Sequence, residues 1–186
     1  RIGIVTAMIP DCAELTTFAE PIKRIWQPKG RVKVLTCANL IKRKNVDLVI
    51  KECEKLDVDL TIIGEGKELA NLKKLSSKPR FLGYLEHSLV LEEMKTADIF
   101  ALPSINETFG MVYLEAMAMG CITICRKNDG ISGIIKDGEN GYFWEEGIIE
   151  KIINSQNQKE ILEKTYQTIL GYTSIDAGKN YLSHIS

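Results

Sequence analysis

Residues 99–120, IFALPSINETFGMVYLEAMAMG, decide the fold. The apolar run Ile99 to Pro103 has strand length, polar turn formers follow it, and a helix-length apolar run opens at Gly110 and closes at Gly120. Working outward, the same strand and helix alternation recurs. VKVLTCA (32–38) precedes VDLVIKECEKL, DLTIIG (59–64) precedes KELANLKKL, RFLG (80–83) precedes SLVLEEMKTA, and ITIC (122–125) follows the quoted helix. This pattern predicts an α/β domain: a parallel sheet with crossover helices on its faces. Past Cys125, SGIIKDG reads as a short helix ending at Gly138, GYFW as an edge strand, and 147–172 as one helix. SIDAGKNYLSHIS reads as a further helix capped at Ser174.

A chain of 186 residues, 45% hydrophobic and 26% charged, matches one well-buried domain. A net charge of −1 gives no reason to expect nucleic acid as a partner. No apolar run approaches the roughly 18 residues needed to span a bilayer. RIGIVTAMIP also lacks the pattern of a secretion signal, so the expectation is a cytoplasmic protein touching the inner membrane face peripherally at most. Cys12, Cys37, Cys53, Cys121 and Cys125 are odd in number, which suits a reducing compartment. Cys121 and Cys125 bracket a buried strand and read as small core residues rather than half a metal site. Pro10, Pro21 and Pro28 punctuate residues 1–30, which read as a connector leading from a preceding segment into the domain at 31–186.

In open α/β sheets ligands sit beyond the carboxyl ends of the strands, where the loop and helix start near Gly110 must lie. Glu115 is the only charge in MVYLEAMAM and shares a face with Met111, Val112, Ala118 and Met119. A carboxylate in such surroundings needs a partner: a buried Arg or Lys, a capping bond, or the adjacent hydroxyls of a ligand. Backbone N–H groups at Gly110, Met111 and Val112 form an anion site with the positive end of the helix dipole, and Glu107 faces whatever lies beyond it. A ribose at Glu115, a diphosphate at the helix start and a sugar at Glu107 together describe a nucleotide-sugar. Lys42, Arg43 and Lys44 end the first strand's loop, either as a solvated run or as cations for that diphosphate.

Two other readings stand beside this one. GEGKEL (64–69), with Glu86 farther on, is a partial fingerprint of a nicotinamide-dinucleotide oxidoreductase, but Leu69 replaces its third glycine and it follows the second strand rather than the first. A non-catalytic nucleotide-binding module is the other alternative, because fold alone does not fix activity. Asp57-Val58-Asp59 precedes its strand, at the wrong edge for a ligand, and nothing in the sequence calls for a metal.

The Glu107 and Glu115 pair, with seven residues between them in PSINETFGMVYLEAMAMG, resembles the signature of the family 4 glycosyltransferases of GT-B fold, a two-domain enzyme class. IPDCAELTTF (9–18) resembles the family's interdomain stretch, IKRKNVDLVI its donor-phosphate loop, and FLGYL (81–85) the loop beside the base. DGISGIIKDGENGYF (129–143) and YTSIDAGKNYL also have counterparts there. The resemblance implies a Rossmann-like, doubly wound parallel sheet forming the donor-binding half of a retaining, hexosyltransferase-like enzyme, with no cofactor or metal. It implies a UDP- or GDP-type sugar donor, and a glycan or glycolipid acceptor bound through an N-terminal domain, without which the chain is expected to be inactive. By carry-over, Glu107 contacts donor-sugar hydroxyls at the catalytic centre, Glu115 the ribose, Lys44 phosphate, and the amides of Phe109 through Val112 the diphosphate. Tyr84 and Leu85 fall beside the base. In such enzymes retention is described as front-face displacement, with double displacement as the older alternative. Ala38 and Asn39 stand where the family often has Gly-Arg, leaving Arg43 as a substitute cation beside Asn39. Cys12, Asp129 and Gly133 also depart from the common pattern.

Overall fold

The computed structural model describes residues 21–107, 110–128 and 130–173. Six strands, β1 (Val32–Cys37), β2 (Val58–Ile63), β3 (Arg80–Gly83), β4 (Ile99–Ala101), β5 (Ile122–Cys125) and β6 (Tyr142–Phe143), form one sheet in the order β3-β2-β1-β4-β5-β6. All adjacent pairs are parallel, with Val34 opposite Ile99 and Ile99 opposite Ile122 at the centre. β4 and β5 are buried along their whole length, which explains why IFA and ITIC are apolar without alternation. Among the described residues the helices are α1 (Val46–Cys53), α2 (Leu69–Leu75), α3 (His87–Thr96), α4 (Met111–Ala118), α5 (Ile148–Asn154) and α6 (Gln158–Thr173).

The strand order carries the functional consequence. The chain winds outward from β1 to β3, returns through α3 to β4 beside β1, and then winds the other way. Right-handed crossovers then place α1 and α2 on one face and the return helices on the other. The connections after β1 and β4 leave for opposite faces of the sheet, and a reversal of strand order puts a crevice at the carboxyl ends there. α4 is packed nearly all round: Tyr113, Leu114, Ala116, Met117 and Ala118 are buried. The Tyr113 hydroxyl donates to the Leu102 carbonyl at 2.8 Å, and its ring meets Phe100 edge-on.

Two expectations past β5 change. In place of a helix over SGIIKDG there is a 3-10 turn at Gly130–Gly133. Asn140 then holds the following bend, accepting from the Lys136 amide and donating to the Ile134 carbonyl. The helix expected over 147–172 is two, because Gln158 Nε2 donates to the carbonyls of Ile152 and Ser155 at 2.9 and 2.7 Å and so satisfies the ends that a continuous helix would have paired. Of the connector, residues 1–20 lie outside the described residues. From Pro21 the chain runs without helix or strand, its Ile22 amide donating to Ala118 (2.8 Å) and the Arg24 guanidinium to the Ala97 and Lys95 carbonyls. The helix expected from Ser174 onward lies outside the described residues.

Cys53, Cys121 and Cys125 are buried, in keeping with core residues, and Cys12 lies outside the described residues. Burial pushes the Cys53 and Cys121 thiols up to about 12. No helix among the described residues is long and apolar enough to cross a membrane.

Candidate functional site

Two loops at the carboxyl ends of β1 and β4 are bound to each other. After β1, Lys42–Lys44 form a 3-10 turn closed by Asn45 in the left-handed region at φ 51°. Asparagine tolerates that conformation, and its Nδ2 donates 2.8 Å to the Pro103 carbonyl across the crevice. The Ile105 amide donates back to the Arg43 carbonyl at 2.8 Å, and Arg43 Nη1 reaches the carbonyls of Ile105 and Asn106 at 3.3 and 3.2 Å. Lys44 is thereby delivered to Glu107. Its ammonium pairs with Glu107 Oε1, which also accepts from Ser104 Oγ at 2.7 Å, while Arg43 Nη1 lies 3.6 Å away. The Lys44 and Glu107 side chains are 11% and 13% exposed, so this is a nearly dry ion pair at the mouth of the sheet.

The crevice, about 900 Å³ in volume, runs from this pair past the start of α4 to Tyr84 and Leu85. It gathers Asn39, Lys44, Tyr84, Leu85, Glu107, Gly110, Met111 and Val112, eight of the residues singled out from sequence. Gly110 sits at φ 75° with no side chain capping the helix, and the first amides of α4 precede its internal hydrogen bonding. The need for glycine here is steric: a Cβ would lie 2.5 Å from the buried Tyr113 ring. The glycines of GEGKEL also serve packing, since a Cβ on Gly64 would lie 1.9 Å from the Ala38 carbonyl and one on Gly66 2.4 Å from that of Leu40.

Glu115 lies one turn deeper along α4, 17% exposed, and its Oε1 is 2.9 Å from His87 Nε2. Its sequence-expected partner was a buried Arg or Lys, a cap or a ligand; the protein partner is instead a histidine exposed at 66%, at the first turn of α3. Glu115 is not among the residues that line the crevice, but it lies near one that does: burial and, after it, the charge of Glu115 raise the Cys37 thiol to about 11. Arg43 stays on the rim, and Phe109 lies outside the described residues. Ser104 and His87 were not found by sequence reasoning. Ser104, fully buried and three residues before Glu107, had a signal in its spacing; His87, 28 residues from Glu115, had none.

At the opposite end of the sheet Asp57 and Asp59 pair with Arg31 at 2.7 and 3.7 Å, far from the crevice. No group of three or more His, Cys, Asp or Glu among the described residues is arranged to hold a metal ion.

Residues 19–169 match the family described as "Glycosyl transferases group 1". The chain is 27% identical over 165 residues to the lipopolysaccharide core biosynthesis glycosyltransferase LpsE of Rhizobium meliloti, covering 81% of this chain and 48% of that protein. It is 27% identical over 150 residues to the phosphatidyl-myo-inositol mannosyltransferase of Mycolicibacterium smegmatis, covering 75% and 39%. Among solved structures, Anabaena HepE in complex with UDP and glucose superposes with a TM-score of 0.70 at 19% identity, over 84% of this chain and 48% of that one. The chain thus spans about half the length, or less, of the curated relatives it matches.

Proposed function

Since this chain belongs to the group 1 glycosyl transferases, we propose that it is the donor-binding, C-terminal half of a retaining family 4 enzyme that moves a sugar from a nucleoside diphosphate to a glycan or lipid-linked acceptor. The acceptor is taken to bind through a preceding domain reached by the connector at 1–30, in line with the share of its relatives that the chain spans. The observation that carries this reading is the crevice at the strand-order reversal, where Lys44, Glu107 and the uncapped start of α4 converge.

The chemistry runs along that wall. A diphosphate at the Gly110 to Val112 amides meets the positive end of α4 and draws the Lys44 ammonium to itself, with Arg43 adding charge from the rim. Lys44 then parts from Glu107, whose carboxylate accepts from the hydroxyls of the attached sugar. As the bond to the anomeric carbon breaks, charge grows on the departing phosphate, and fixed donors already aimed at it stabilise it without reorganising. Asn39 completes the phosphate end, Tyr84 and Leu85 flank the base, and Glu115 takes the ribose. The sugar nucleotide is a substrate, and no step above calls on a metal or cofactor.

A thermal-shift panel tests the donor class. UDP-, GDP- and ADP-sugars are compared with NAD on the 186-residue chain. The reading expects stabilisation by at least one sugar nucleotide and none by NAD; the reverse would return the chain to the dinucleotide alternative.

A further inference from the structure

His87 begins α3, directly after the loop that carries Tyr84 and Leu85, and is 66% exposed. It nevertheless touches the one charge of α4 across that loop, with Nε2 2.9 Å from Glu115 Oε1. An ionised carboxylate only accepts, so Nε2 carries the hydrogen and donates it. Among the described residues Glu115 has no other hydrogen-bond partner, and its helix neighbours Met111, Val112 and Met119 have no side-chain group able to hold it. A pair with one partner so open to water adds little to stability. Its consequence is orientation: the histidine holds one carboxylate oxygen, Oε1, and leaves Oε2 for another donor, on a side chain near enough to the crevice residue Cys37 for its charge to be felt there.

We infer that His87 is a positioning residue for nucleotide recognition, holding Oε1 of Glu115 so that Oε2 meets the ribose hydroxyls and the crevice favours ribonucleotides over deoxyribonucleotides. This rests on the ribose assignment of Glu115 proposed above. A carboxylate has about four acceptor positions, so the imidazole and a ribose diol can be bound together. Without the imidazole the glutamate side chain must be ordered by the ligand itself, at an entropic cost charged to every ribose contact.

The test measures, by calorimetry on the 186-residue chain, the affinities of UDP, GDP and ADP and of dUDP, dGDP and dADP. The ratio of ribo to deoxy affinity is the readout, because a general packing defect weakens both members of a pair alike and cancels. We expect His87→Leu to shrink the ratio about fivefold with little change for the deoxynucleotide. His87→Gln, whose amide can donate from a similar reach, should restore most of the ratio. Glu115→Ala should abolish it. An unchanged ratio in His87→Leu beside a collapsed one in Glu115→Ala would overturn the role of His87 alone. An equal loss for both sugars in His87→Leu would overturn it too, marking a packing residue. A ratio untouched by Glu115→Ala, or no binding of any of the six nucleotides, would remove the ribose assignment and His87 with it.

Discussion

Both ends of the sheet carry paired charges, and they differ in how much water reaches them. At the amino ends of the strands, Arg31 and Asp57 are 59% and 80% exposed, and Arg80 meets Glu93 with 59% of its own side chain open. At the carboxyl ends, Lys44 and Glu107 are 11% and 13% exposed, and Glu107 also accepts from the buried Ser104 hydroxyl. Water already solvates the first set, so pairing there adds about 0–1 kcal/mol. The second set has been taken out of water, at a desolvation cost that pairing only offsets. An ion pair that contributes so little net stability, yet sits where the strand order reverses, is better placed to exchange partners with a charged ligand than to hold the fold together.

The largest expected effect tests that contrast. Lys44→Ala should take the nearest cation from the Glu107 carboxylate, which keeps Ser104 and the more distant Arg43, and cost up to about 3 kcal/mol in urea unfolding at neutral pH, while Lys44→Met combined with Glu107→Leu should cost less than the single change. A double variant worse than the single one would mean that the pair stabilises the fold in its own right.

Another acid sharpens the comparison from within the core. Glu52 is buried, accepts 2.6 Å from the Ile149 amide at the start of α5, and leaves Oε2 without a partner. Burial raises its pKa, against the lowering pull of the Ile149 and Gly147 amides and of Lys55. A carboxyl raised on folding is easier to ionise in the unfolded chain. Its destabilising contribution is therefore absent below the ordinary value of 4.5, grows as pH rises above it, and levels off past the raised folded value. Glu52→Gln should accordingly gain stability relative to the parent as pH rises from about 4 toward neutrality. A difference that is flat with pH would mean that Glu52 stays as easily ionised folded as unfolded.

The smallest effect belongs to the exposed end. Arg31→Ala should change unfolding free energy by about 0.5 kcal/mol or less and leave nucleotide affinity as it was. A larger loss in either would erase the distinction between the two ends.

The strands were legible because burial leaves its mark one residue at a time: RFLG and ITIC coincide with β3 and β5, and the alternation alone implied a parallel sheet. Glu115 was legible for a related reason, a lone charge in an apolar helix. The break at Ser155–Asn157 was not, because Gln158 acts there through its side chain, and glutamine is common inside helices. The Lys44 and Glu107 pair was half legible. Sequence placed each residue near a ligand, but their meeting depends on Asn45 reaching Pro103, a contact across 58 positions that no local pattern encodes. His87 fell outside the reading for the same reason.

The central claim is that Glu107 and Glu115 serve different parts of one sugar nucleotide, and calorimetry separates them most directly. The parent chain, Glu107→Ala and Glu115→Ala are each titrated with the sugar nucleotide that binds and with its free nucleoside diphosphate. The account predicts that Glu115→Ala weakens both ligands about tenfold, whereas Glu107→Ala spares the diphosphate and removes whatever affinity the attached sugar adds. Equal losses for both ligands in both variants would contradict it.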